Sequence, residues 1–466
     1  MAPITIHPKN PHYFWWRGNA VALVGASYLS YRAWTVQDYT EMLDVTHDYG
    51  LNVFRIFNPV SRWPDVGRSW RRLWTKPNWL FPWARSHVPG AAGGGNKFDL
   101  DRWDTNYFKR LADLVSKASE RGIVVEVTLM NGYGAPVSPD VWPYSPLYAA
   151  NNIQGVGSSN WINFLTLGDP ALQARQQAVV TRVVQELNRF DNVYYEIMNE
   201  PGPVCDPAWH GMLIQTIHDA ESRLPNQHLV AVDCPESYDR MTPRPSIINT
   251  HYTYGTQWIG AFEMLDTMYD RNAILGADEM NAVPNGMDEC SGRVEAWEFL
   301  LGGGSVYDGL IDGFSPFGPD RWNSASANSY RKHLGNLLRF LKSFDLVNMH
   351  QDKSVIRGGV PTGAFARSIS EPGKQYAIYI HHSHRFPDPL DTYYGVDTGN
   401  YQETLILSVP AGSYRADWVD PASGELVQSQ AFGSTGTVTV TSPKYTLDIA
   451  LRITRILRPS PGQEGL

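Results

Sequence analysis

Residues 192–201 read Asn-Val-Tyr-Tyr-Glu-Ile-Met-Asn-Glu-Pro, an aromatic and β-branched run that ends on a carboxylate and is stopped by Pro201 and Gly202. Such a run has the composition of a buried strand. Side chains alternate along a strand, so with Glu200 at the mouth of a sheet Met198 and Glu196 share its side, and Asn199 needs a local twist to join them. Seven further runs have the same texture: 20–27 (AVALVGAS), 51–58 (LNVFRIFN), 123–130 (IVVEVTLM), 228–234 (HLVAVDC), 247–254 (IINTHYTY), 273–280 (AILGADEM) and 306–314 (VYDGLIDGF). Amphipathic stretches at 35–48, 104–120, 170–189 and 207–223 separate them, the first opening on Thr35 as an N-cap. Eight strands alternating with helices over roughly 300 residues predict an α/β fold, a (β/α)8 TIM barrel, whose chemistry belongs at the C-terminal ends of the strands.

Working outward, two long insertions follow strands. Residues 59–100 carry Trp63, Trp70, Trp74, Trp79 and Trp83, and residues 131–168 carry Trp142, Tyr144, Tyr148 and Trp161. Both rise from the catalytic face of a barrel; most of these aromatics are expected to pack the loops, and a few to stack on a ligand. A helix over 325–345 closes the barrel, which is assigned residues 1–350. From there short alternating runs punctuated by Pro-Gly, Gly-Asn and Ser-Gly turns predict an all-β sandwich over 351–457, followed by a loose tail, 458–466.

The 466 residues are 42% hydrophobic and 18% charged, with 16 Trp, 24 Tyr and 17 Phe, the profile of a globular chain rich in flat side chains. With 39 Lys and Arg against 47 Asp and Glu, the net charge of −8 and the lack of a basic run argue against nucleic acid as a partner. The absence of an apolar run of eighteen residues argues against a membrane. The N-terminus, MAPITIHPKNPHYF, lacks a signal-peptide layout, so a soluble protein is expected, cytoplasmic if Met1 is the native start and secreted if a leader has been removed. Cys205, Cys234 and Cys290 read as buried small hydrophobes rather than a disulfide framework. No cofactor and no metal is expected.

The chemistry rests on a second carboxylate, Glu279, which ends the strand-seven run Leu-Gly-Ala-Asp-Glu-Met. Carboxylates on strands four and seven can face each other across a barrel mouth, and glycosidic hydrolysis needs such a pair, one protonated and one ionised. The triplet Asn199-Glu200-Pro201 after an apolar strand, with Glu279 closing strand seven, resembles the large clan of retaining (β/α)8 glycoside hydrolases that includes the cellulase-like family 5. The resemblance implies that Glu200 is the general acid/base, Glu279 the nucleophile and Asn199 the donor to the sugar 2-hydroxyl. It implies that Arg55, at the end of strand two, holds the nucleophile ionised. His251 and Tyr252 take the places of the clan's strand-six histidine and aromatic; the family's His-x-Tyr spacing is not kept, and Tyr254 is the alternative aromatic. Asn131 stands where strand three often has a histidine, and Tyr307 with Asp308 where strand eight often has a tryptophan. The segment 412–424 resembles the β-sandwich appended to several bacterial glycosidases, a structural module.

The expected activity is therefore that of a retaining β-glycosidase acting on short glycosides or chain ends, with a carbohydrate as its partner. An endo-acting β-glucanase or mannanase with an open cleft and a non-catalytic carbohydrate-binding barrel are the alternatives. A metal-dependent barrel hydrolase is disfavoured, because strands one and three end without ligand residues. Glu196 is read as paired inside the barrel. Asp278, on the opposite side from Glu279 in a regular strand, is read as supporting the site from behind or facing the helices. His381, His382 and His384 are read as surface histidines rather than a metal cluster.

Overall fold

The computed structural model describes residues 2–26, 39–58, 80–131, 142–158, 160–201, 206–252, 259–280, 288–310, 324–385 and 394–456. Eight parallel strands form the central sheet: β1 (Leu23–Gly25), β2 (Val53–Phe57), β3 (Val124–Asn131), β4 (Val193–Asn199), β5 (Val230–Asp233), β6 (Ile247–His251), β7 (Ile274–Met280) and β8 (Val306–Gly309). From β2 to β8 each strand pairs with its sequence neighbours, and β8 returns to β1. Between β1 and β2 the ring is closed by Asn52: its backbone N–H donates to the Val24 carbonyl (3.0 Å), its Oδ1 accepts from Val24 N (2.8 Å) and its amide donates to Ala22 O (2.8 Å). The barrel predicted from the strand count is present.

Alternation within the strands sorts the interior into layers. Leu23, Val53, Val124, Tyr194, Ala231, Ile247, Ile274 and Val306 pack into one buried cluster with Ile4, Phe14 and Trp16. These last three belong to the N-terminal segment, where strands Thr5–Ile6, Phe14–Trp16 and Asn19–Val21 form a small antiparallel sheet sealing the barrel's lower end. Two residues further along the same strands come Arg55, Glu126, Glu196, Asp233 and Asn249, so the apolar floor carries a polar layer directly above it. Helices α1 (Thr40–Asp48), α2 (Thr105–Glu120), α3 (Pro170–Leu187), α4 (Pro207–Glu221), α5 (Ala261–Thr267), α6 (Glu289–Leu301) and α7 (Ala325–Leu341) follow the strands. Asp104, Asp169, Asp206, Asp288 and Ser324 cap α2, α3, α4, α6 and α7 through side-chain oxygens, satisfying N–H groups that a helix's first turn leaves open. The expected cap at Thr35 lies outside the described residues.

Past α7 the chain becomes all-β. Strand Gln375–Arg385 lies between Ala364–Glu371 and Asp448–Arg455, which in turn pairs with Thr404–Val419. Its side chains divide by parity: Tyr376, Ile378 and Ile380 enter the module's own core with Trp418, Leu451 and Ile453, while Ala377 and Tyr379 join the core of the barrel. The Tyr379 ring stacks on Trp297 of α6 at 5.6 Å. This makes α6 a helix buried on every side from Ser291 to Leu301. Its docking is ionic as well as apolar: Arg293 forms a two-point pair with Asp448 (2.9 Å each), and Glu298 meets Arg367, His381 and Tyr394 at 3.0, 2.8 and 2.9 Å.

Two smaller expectations are corrected. His381 and His382 are buried, not surface groups: the first pairs with Glu298, the second stacks on Tyr401 at 3.5 Å and meets Glu403, and His384 alone is exposed, beside Asp397. They turn to three different partners, because successive strand residues face opposite sides. Cys234, read as a plain hydrophobe, is disulfide-bonded, whereas Cys290 is free; Cys205 lies outside the described residues. Among the described residues no helix is long and apolar enough to cross a membrane.

The two insertions interlock. Residues 80–103 form a hairpin, Trp83–Pro89 with Asn96–Trp103, and residues 142–168 hold three short 3-10 turns. Ile153 N–H donates to Phe98 O (3.0 Å), Ala92 N–H to Asn151 Oδ1 (2.8 Å), and Gln154 bonds Leu100, Asp99 and Asp101. Trp83 and Trp142 are buried in the core and Trp161 packs against it; Trp63, Trp70, Trp74 and Trp79 lie outside the described residues.

Candidate active site

At the upper end of the barrel three strands each turn two successive residues inward, against the rule of alternation. On β4, Glu200 takes a left-handed backbone (φ 47°), so Asn199 and Glu200 both reach the mouth; this is the local twist that Asn199 needed. On β6, Tyr252 does the same (φ 65°), so His251 and Tyr252 both face Glu200. On β7 the register slips between Ala277 and Met280, and Asp278 and Glu279 both point inward. Left-handed backbone costs a non-glycine residue about 1–2 kcal/mol, and it persists where surrounding contacts over-determine it.

Arg55 is the hub. Its Nη1 donates to Glu279 Oε2 (3.2 Å), and its Nη2 to Glu196 Oε2 (2.5 Å) and Asn199 Oδ1 (2.8 Å); its Nε lies 3.2 Å from Asp278 Oδ2. Below it the Asn249 amide donates to Glu126 (2.8 Å), Glu196 (3.1 Å) and Asp278 (2.8 Å). Thr128 donates to Glu196 (2.7 Å) and Tyr194 to Glu126 (2.8 Å). Above it, His251 Nδ1 sits 3.3 Å from Glu200 Oε1 and 3.5 Å from Glu279 Oε2. Its Nε2 sits 3.2 Å from Asp233 Oδ2 and 3.4 Å from Asp278 Oδ1. Tyr252 donates to Glu200 Oε1 (2.7 Å). A carboxylate oxygen of Glu200 and one of Glu279 lie within 4.8 Å of each other.

Six carboxyl groups here meet two cations, and full ionisation would leave four uncompensated charges in a buried volume, so several protons stay bound. Burial pushes Glu126 well up and Glu196 up to about 8. Asp278 is held below the usual carboxylate range because the charges of Arg55 and His251 outweigh its burial. The same logic reversed keeps Arg55 and His251 protonated: burial disfavours their charge, and the surrounding carboxylates more than restore it. Between the two mouth glutamates, burial and the charge of Glu200 push Glu279 up to about 7 against the pull of His251 and Arg55. Glu200 falls below its usual range, because hydrogen bonds from His251 and Tyr252 outweigh burial. Asp233 is pushed up to about 7 by burial, opposed by His251.

Of the residues expected from sequence, Glu200, Glu279, Arg55, Asn199, His251 and Tyr252 are brought together. Tyr307 is not: it faces outward from β8, its hydroxyl donating to Gly292 O (3.1 Å) and pairing with Tyr330 (2.9 Å), because the inward parity of that strand falls on Val306 and Asp308. Asn131 ends β3, its side chain outside what is described, and Tyr254 lies outside the described residues. Asp278 does not face the helices; the slipped register turns it onto Arg55. Sequence reading passed over Glu126, Asp233 and Asn249, each of which sits at inward parity with an assigned residue on a neighbouring strand, which is the signal that finds them. Two carboxylate groupings are compact enough for a cation, Glu200 with His251 and Glu279, and Glu126 with Glu196 and Asp278. Neither is assigned to one. The lower is centred on the Asn249 amide and the Arg55 guanidinium, and the upper on an imidazole whose charge already serves the carboxylates.

A family model for Cellulase (glycosyl hydrolase family 5) matches residues 16–236. No curated protein matches by sequence. Among solved structures, a glycoside hydrolase superposes with a TM-score of 0.64 at 11% identity, covering 97% of both chains. A family 5 glycoside hydrolase from Bacteroides vulgatus superposes with a TM-score of 0.64 at 12% identity, over 97% of this chain and 93% of that one. A family 5 mannosidase from Rhizomucor miehei gives 0.50 at 14% identity, over 73% of this chain and 99% of that one. At these identities the likeness is one of fold, and for the first two it extends through the C-terminal β-module.

Proposed function

We propose that this chain, whose barrel matches the cellulase-like family 5 model over residues 16–236 and shares the fold of family 5 glycoside hydrolases, is a retaining β-glycosidase using Glu279 as nucleophile and Glu200 as acid/base. The observation that carries this reading is the proximity of the two carboxyl groups, with oxygens inside 4.8 Å. Retaining enzymes hold their pair about 5–5.5 Å apart, whereas inverting enzymes need roughly 6.5 Å or more to seat a water between them. Glu279 attacks the anomeric carbon as Glu200 protonates the departing oxygen; Glu200 then takes a proton from water, which releases the sugar from Glu279. Asn199, whose Oδ1 is engaged by Arg55, keeps its amide N–H groups for the sugar 2-hydroxyl.

The roles require the proton on Glu200 when the first bond breaks, yet the protein groups around the pair favour it on Glu279. A single proton shared by two close carboxylates belongs to the pair, and a sugar seated between them changes the balance. The His251 ring, within 3.5 Å of both, lies on the path of that redistribution. Short glycosides or chain ends are the favoured substrates, because the insertions follow strand ends and their described parts, 80–100 and 142–158, are braced against each other. An open-cleft endo-enzyme predicts a rapid fall in viscosity per bond broken on soluble glucans or mannans, and a pocket predicts a slow one. Proton NMR of an aryl β-glycoside digest tests the mechanism: the first product is the β-anomer, and an α-anomer appearing first overturns it.

A further inference from the structure

The acid/base reading leaves Asp233 unused, although it touches both moving parts of the site. It is the last residue of β5, and its Oδ2 accepts at 2.9 Å the backbone N–H of Glu200, the left-handed residue that follows β4. The same oxygen lies 3.2 Å from His251 Nε2, so that the opposite ring nitrogen faces the two glutamates. Resting on the assignment of Glu200 as acid/base, we propose that Asp233 is a positioning residue for the proton-transfer step, holding the Glu200 main chain by a hydrogen bond and the His251 ring by its charge. The Nε2 contact is an ion pair without hydrogen-bond alignment; the negative charge of an ionised Asp233 behind Nε2 favours the doubly protonated ring, and so keeps a proton on the Nδ1 that faces the glutamates. The main-chain bond fixes the direction in which the Glu200 carboxyl leaves the strand.

The groups facing His251 are Glu200 from β4, Asp233 from β5, and Asp278 and Glu279 from β7, with Arg55 of β2 behind the last two and the Tyr252 ring edge-on at 5.7 Å. Removing one negative charge from this set loosens every remaining proton, so the Asp233→Asn variant titrates downward.

The test uses the full chain with phenyl and 2,4-dinitrophenyl β-glucosides and β-mannosides, since a phenoxide needs a proton to leave and a dinitrophenoxide does not. In Asp233→Asn the basic limb of kcat/KM moves down by about one pH unit. Its kcat/KM falls about tenfold or more on phenyl glycosides, and less than about threefold on dinitrophenyl glycosides. An unmoved basic limb, or equal losses on both leaving groups, overturns the proposal. Should circular dichroism show that Asp233→Asn does not fold, Asp233→Glu is read in its place. It keeps the charge and displaces the grip by one methylene, so the basic limb stays and the leaving-group split remains; equal losses again overturn it. Failure of the underlying reading looks different, because Glu200→Ala then loses kcat/KM on phenyl and dinitrophenyl substrates alike.

Discussion

At the residue scale, the two mouth glutamates separate by what each variant still does. Glu279→Gly is expected to lose turnover by at least about a thousandfold, and azide to restore it while yielding a glycosyl azide of inverted configuration. A variant near the wild-type rate removes Glu279 from the nucleophile's role. In initial-rate assays Glu200→Ala is expected to lose about a hundredfold or more in kcat/KM on phenyl glycosides and little in kcat/KM on dinitrophenyl glycosides, while kcat on the latter falls because release of the glycosyl-enzyme has lost its base. These two residues were legible because a carboxylate at the end of an apolar strand is a local pattern, whereas Arg55, in the middle of β2, was legible only through the family resemblance. Asp233 was not, since its meaning comes from His251 on the next strand and Glu200 on the previous one. Single residues also carry a pH signature of the fold. Burial lowers His210 from 6.5 to about 4, so the folded chain resists a proton that the unfolded chain accepts. Its contribution is fully present above about pH 6.5 and lost as pH falls toward 4, a swing of roughly 3 kcal/mol. The stability advantage of wild type over His210→Gln in denaturant titrations should shrink by that order between pH 7 and pH 4.5.

At the element scale, the strands were found by their apolar runs, but the site exists because three of them break alternation at their ends. Regular alternation places Asp278 on the helix side and leaves Asn199 outside; the left-handed turns at Glu200 and Tyr252 and the slip in β7 bring the extra groups in. Nothing in a single run of residues announces such irregularities, which depend on register against neighbouring strands. Gly276 shows how tightly that register is held. A Cβ there would come within 2.2 Å of Asn249 Oδ1, the amide that bonds Glu126, Glu196 and Asp278. Gly276→Ala should therefore cost about 1–3 kcal/mol in denaturant titration and lower kcat about tenfold. Loss of stability with kcat unchanged means that the Asn249 layer does not support the site above it.

At the scale of the whole molecule, the barrel and the β-module share α6, a helix with almost no hydrophobic asymmetry to read because both of its sides are buried. The sequence shows where the texture changes; the contact between the halves depends on pairs such as Arg293 with Asp448, 155 residues apart. Breaking that buried pair by Asp448→Ala leaves a guanidinium without its counter-ion and is expected to cost about 3–5 kcal/mol. Replacing both partners by Met and Leu recovers most of the loss in the same unfolding experiment. The braced insertions carry a consequence of another kind. Hairpin 80–103 and the turns of 142–158 are joined by backbone and side-chain bonds running both ways, so neither wall has a shape of its own to pass on. A lineage that drifts toward a new sugar, or an engineer who grafts one, must move both loops as a single cassette; a chimera that exchanges one alone inherits a wall with nothing to lean on.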